Sequence, residues 1–102
     1  MGFLFRRATF RLRTGPSVEN LLRARGAARS TIAVDLIQHL CATPAAIPAT
    51  WERIELPLVH DLPDCPPATK PALIAALEDC ATACRHRDTA RRMMVVRDSL
   101  RL

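Results

Sequence analysis

Proline placement constrains this chain more than any other feature. Pro16 follows Gly15, Pro44 and Pro48 punctuate residues 42–50, Pro57 falls within an apolar stretch, and Pro63, Pro66, Pro67 and Pro71 crowd residues 61–71. Each proline fixes φ, removes a backbone donor and biases the residue before it away from helix. Residues 42–50 and 61–71 therefore read as Pro-rich connectors, and the segments between them have room only for short elements. The expected fold is mainly α: a small helical bundle of three to five short helices in residues 17–102, preceded by an extended basic N-terminal arm over residues 1–16.

The segments carry their own signals. Ser17 after Thr14-Gly15-Pro16 is a candidate N-cap. From Val18 to Cys41 the apolar stripe is interrupted by Arg25 and Arg29 with Gly26 between them, so two helices are expected, the second capped by Ser30 and facing inward through Ile32, Ala33, Leu36, Ile37 and Leu40. Thr50 is positioned to cap a short turn at Trp51. In residues 52–59 a helix stopped at Pro57 competes with a short edge strand, and helix is favoured. Thr69 as N-cap with Pro71 in the first turn opens the best helix, whose stripe is Leu73, Ile74, Leu77, Cys80, Ala81 and Cys84. That stripe fails at Arg87, Asp88, Arg91 and Arg92. A break near residues 86–88 follows, with Asp88 capping a last helix, although Met93 to Val96 also suits a strand.

Charge is distributed unevenly. Residues 1–34 hold seven arginines against Glu19 alone and carry +6, while residues 35–102 carry −1. Phe3, Phe5 and Phe10 are interleaved with Arg6, Arg7, Arg11 and Arg13, which leaves Trp51 as the sole aromatic of the body. Phe5, Arg6, Arg7, Phe10, Arg11 and Arg13 are the candidate partner-contact residues, able to meet a protein, an anionic membrane surface or RNA. The start also has the composition of a mitochondrial-type presequence, Arg-rich and almost free of acid. Leu4-Phe5-Arg6 is similar to the Leu-Tyr-Arg start of small basic mitochondrial accessory proteins, but Gly15-Pro16 ends that segment early. The longest uncharged run, Leu36 to Trp51, contains Pro44 and Pro48 and is not a transmembrane span.

Whole classes of chemistry are missing. Gly2, Gly15 and Gly26 are too few and too scattered for a phosphate-cradling loop. Ser17, Ser30 and Ser99 lack the Gly-x-Ser-x-Gly turn of nucleophile-elbow hydrolases. His39, His60 and His86 form no ligand spacing, and Glu78-Asp79 and Glu52/Glu55 read as solvated faces. Cys41, Cys65, Cys80 and Cys84 are expected as reduced thiols. Cys80 and Cys84, four apart, would share a helical face, as soft-metal ligands do. The segment Glu78 to Met94 resembles the cysteine-rich four-helix copper-binding proteins, which implies Cu(I) handling at that pair; here Arg87 and Arg91 stand where further ligands would fall. The pair also resembles half of the paired Cys-x3-Cys pattern of small mitochondrial intermembrane chaperones, without a second pair. The competing reading is that both thiols pack in the apolar stripe.

These features lead to a non-enzymatic accessory or assembly subunit of a larger complex, expected from the presequence-like start to be a mitochondrial (respiratory) one, with no cofactor. The alternatives are a nucleic-acid-binding module using the N-terminal Arg cluster and a Cys-based copper or zinc handler.

Overall fold

The computed structural model describes residues 17–102; the basic start, with Phe5, Arg6, Arg7, Phe10, Arg11 and Arg13, lies outside them. Among the described residues the chain forms five α-helices and no strand. They are α1 (Val18–Arg23), α2 (Ala27–Leu40), α3 (Ile47–Asp61), α4 (Lys70–Ala83) and α5 (Arg87–Arg101). Short 3-10 turns at Pro44–Ala46 and Leu62–Asp64 lead into and out of α3. The most extensive packing joins α4 to α5, followed by α2 to α4. No helix among the described residues is long and apolar enough to cross a membrane.

Local chemistry explains most of the boundaries. Ser17 caps α1, its Oγ accepting from the Asn20 N–H at 3.1 Å. The break before α2 falls at Gly26, whose φ of +60° and ψ of −135° are adopted with little strain only by glycine. Ser30 is therefore not the cap of α2 but an interior residue, fully buried, with no partner for its Oγ. Thr69 occupies the position before α4 without a side-chain capping bond, and Pro71 sits in the first turn, where no N–H is needed. At α5 the cap is His86 rather than Asp88: its Nδ1 accepts from the Thr89 N–H at 3.3 Å and lies 2.8 Å from Thr89 Oγ1. Asp88 instead lies in the first turn, where a carboxylate favours the positive end of the helix dipole. Met93 to Val96 are helical, with Met93 and Val96 buried and the exposed arginines on the other side.

Helix α3 departs furthest from the expectation. It begins at Ile47, with Pro48 in its first turn and Thr50 inside it, and it runs through Pro57 to Asp61. Pro48 removes an N–H that has no helical partner at that position anyway. Pro57 does remove an interior bond, at a cost of about 3 kcal/mol. Against that cost stand Ile47, Trp51, Ile54 and Leu58, all buried and spaced on one face. Burying each contributes about 1.5–3 kcal/mol, so the apolar stripe on both sides of Pro57 outweighs the lost bond.

One polar knot ties the first three helices. Arg29 donates from Nε to the Leu21 carbonyl at 3.0 Å and from Nη2 to the Leu22 carbonyl at 3.0 Å, capping the C-terminal end of α1. Its Nη1 donates to the Pro57 carbonyl at 3.1 Å and pairs with Asp61 Oδ2 at 3.2 Å. The same Oδ2 accepts the Gly26 N–H at 2.8 Å, and Oδ1 accepts from His60 Nδ1 at 2.9 Å. The His60 bond, then the Gly26 N–H, hold the Asp61 carboxyl below its ordinary range, with the Arg29 and His60 charges adding to this against the effect of burial.

The apolar core is one cluster. Leu21, Ala33, Leu36, Ile37, Leu40, Ile47, Trp51, Ile54, Leu58, Leu73, Ala76, Leu77, Cys80, Met93, Val96 and Leu100 all contribute, so every helix enters it.

Candidate interaction surface

The side chains that the fold leaves uncovered are the most informative. Leu56 is 75% exposed on α3 and Val95 is 60% exposed on α5, with Val59 a further exposed apolar residue one turn along α3. Large apolar residues scattered singly need no explanation, but these lie on adjoining helices. Glu55 and Arg92, neighbours of Leu56 and Val95 in sequence or one turn away, join α3 to α5 by a 2.8 Å ion pair. That hydrogen bond holds the Arg92 guanidinium above its ordinary pKa. Further along the same seam, Val59, Leu62, Pro63, Lys70, Ser99 and Leu100 line a groove of about 330 Å³. Ser99 donates back to the Val95 carbonyl, which places Val95 one turn above the groove. The result is an apolar seam between α3 and α5 with a charged bridge across it.

Elsewhere ion pairs join neighbouring helices at the surface. Glu78 Oε2 accepts from Arg97 at 2.7 Å and Arg101 at 3.0 Å, and Arg97 also bonds Asp98 at 2.9 Å. Glu78 and Glu55, read from sequence as solvated faces, are thus engaged in clasps from α4 and α3 to α5. The Glu78 bond raises the Arg97 pKa above its ordinary value. A second cleft, about 430 Å³, is lined by Pro44, Ala45, Pro48, Arg85 and His86.

The thiols divide between core and edge. Cys80 is fully buried, and Cys84 is half-buried just beyond the end of α4, donating to the His86 carbonyl at 3.4 Å. Burial pushes the Cys80 thiol up to about 12, with the neighbouring Cys41 and Cys84 thiols adding to the rise. Cys65 is buried beside the Pro66 carbonyl. Among the described residues no group of three or more His, Cys, Asp or Glu side chains is placed to hold a metal ion. Packing in the apolar stripe describes Cys80 better than ligation does.

Sequence reasoning missed two arrangements. Arg29 looked like an intrusion on an apolar stripe, and nothing local shows that its acceptors come from α1 and from Pro57 and Asp61, 28 and 32 positions on. The influence of Cys41 on the Cys80 thiol was equally invisible, because it depends on how α2 packs on α4. The candidate contacts at Phe5, Arg6, Arg7, Phe10, Arg11 and Arg13 lie outside the described residues. Comparison with protein-family models, curated proteins and solved structures gives no match.

Proposed function

We propose that this protein is a non-enzymatic accessory or assembly subunit that docks on a larger complex, using the apolar seam between α3 and α5 together with its basic N-terminal segment. The observation that carries the reading is the exposure of Leu56, Val59 and Val95 on two adjoining helices, α3 and α5, which an ion pair also joins. Apolar patches rimmed by charge favour protein contacts, since desolvating them stabilises association while the rim sets orientation. The Arg6, Arg7, Arg11 and Arg13 cluster would add an electrostatic contact with an acidic partner surface. A mitochondrial complex fits the presequence-like composition of the start.

The test compares wild type with a Leu56→Glu/Val95→Glu double variant, each tagged and expressed in the source cells. Both should show the same helical circular dichroism when purified, because neither position is in the core. Wild type should sediment from native lysate with a complex, and the variant as a free chain. Sedimentation of wild type as a free folded monomer would refute the reading. Salt-sensitive binding of the purified chain to RNA or DNA, lost on replacing the four arginines, would support the nucleic-acid alternative instead.

A further inference from the structure

A cleft of about 430 Å³ lies where the start of α3 faces the connector between α4 and α5, lined by Pro44, Ala45, Pro48, Arg85 and His86. Pro48 and Val59 stand about three turns apart on α3, about 16 Å along its axis, so the cleft is separate from the groove at the other end of that helix. One wall is apolar and stiff: the two prolines have a fixed φ and no N–H to donate. The other wall is polar. The exposed Arg85 guanidinium has no hydrogen bond or ion pair among the described residues. His86 is held in place, its Nδ1 accepting the Thr89 N–H at 3.3 Å and its carbonyl accepting from Cys84 Sγ at 3.4 Å. Because Nδ1 accepts, the neutral ring carries its proton on Nε2, which leaves one N–H without a described partner. Among the described residues no carboxylate lines the cleft; the nearest acid in sequence, Asp88, sits in the first turn of α5.

We propose that this cleft binds a small organic anion, an apolar ring or chain bearing one carboxylate, with its apolar body against Pro44, Ala45 and Pro48 and its carboxylate on Arg85 and the His86 Nε2–H. The lining disfavours the other ligand classes. A cation would meet Arg85 with no acid to offset it. A neutral apolar molecule would strip water from the guanidinium and replace none of its hydrogen bonds. A bare inorganic anion would leave the proline wall wet, and a single exposed ion pair contributes little by itself. A phosphate monoester brings nearly two charges to one guanidinium, whereas a carboxylate brings one and matches the planar fork in a bidentate pair. The volume lies within the range of about 300–1,000 Å³ usual for small-molecule sites. The inference stands on the cleft alone and does not rest on docking at the α3–α5 seam.

The experiment titrates naphthaleneacetate into the purified full chain and follows backbone amides by proton–nitrogen correlation NMR, with naphthaleneacetamide and acetate as controls. The expected result is saturable shifts at the Ala45, Arg85, His86 and Thr89 amides with a low-millimolar Kd, and binding at least about tenfold weaker for the uncharged amide and for acetate. Arg85→Gln, at an exposed position with no described partner, should keep the fold and weaken naphthaleneacetate by about tenfold. Ala45→Trp, which fills the cleft from an exposed position, should abolish binding; circular dichroism verifies both variants as folded. Shifts that never saturate, equal binding of the uncharged amide, acetate binding as tightly as naphthaleneacetate, or an Arg85→Gln chain that binds like wild type would each overturn the proposal. So would saturable shifts centred on Val59 and Ser99, which line the other groove.

Discussion

The two ends of α2 are held by opposite chemistry. Its N-terminal end is fixed by directional polar bonds: Arg29 reaches three carbonyls and Asp61, and Asp61 reaches back to Gly26. Its C-terminal end is fixed by packing: Leu40 is buried in the core cluster and Cys41 is half-buried against it. The difference follows from what each end must do. At the N-terminal end the chain reverses after only six residues of α1, too short a helix to be stable on its own, and its last carbonyls need donors. At the C-terminal end α2 is already anchored by Ala33, Leu36 and Ile37, so apolar packing suffices. Polar knots thus stand where little apolar area is available.

That contrast is broken most severely at Arg29. Replacing it by Met keeps the aliphatic stem but removes four bonds and leaves the Asp61 carboxylate short of a partner, so Tm should fall by about 10–20 °C in a thermal melt followed by circular dichroism. An effect no larger than that of a surface substitution would mean the knot is dispensable. Acid should act on the same end more gently. Because the Asp61 pKa is lowered in the folded state, its contribution is complete above the unfolded value near 3.8 and is lost as pH falls through the lower folded value. The Tm gap between wild type and Asp61→Asn should therefore be widest near neutrality and close in strong acid; a gap independent of pH would contradict the assignment. The smallest effect belongs to Ser30, buried within α2 with an unpartnered hydroxyl. Ser30→Ala should stabilise by about 0.5–1 kcal/mol in urea unfolding, since it deletes an unsatisfied polar group and favours helix.

The helical class, the split at Gly26, the Ser17 cap and the stripe of α4 were legible because each rests on local signals: period, cap or glycine. The course of α3 was not, because Pro48 and Pro57 carry the same local signal as the prolines that do end helices. Only the burial of Trp51, Ile54 and Leu58, a tertiary fact, decides that α3 runs through Pro57. The caps of α2 and α5 were misplaced for a related reason. Ser30 and Asp88 are good capping types, yet the helix starts were set by the backbone at Gly26 and by the His86 ring. Of the candidate surface, the charge asymmetry was visible and the exposed seam was not, since Leu56 and Val95 look like any core residue until α3 and α5 are packed.

Native-state hydrogen exchange on wild type and Arg29→Met tests the central claim most directly, because it reads each end of the bundle separately. The amides of Leu21 and Ala24, bonded at the two ends of α1, should lose protection in the variant by a factor of at least about ten relative to those of Leu77 and Val96 in α4 and α5. An equal loss at all four amides, or no loss at Leu21 and Ala24, would contradict the account that Arg29 holds the short first helix to the rest of the fold.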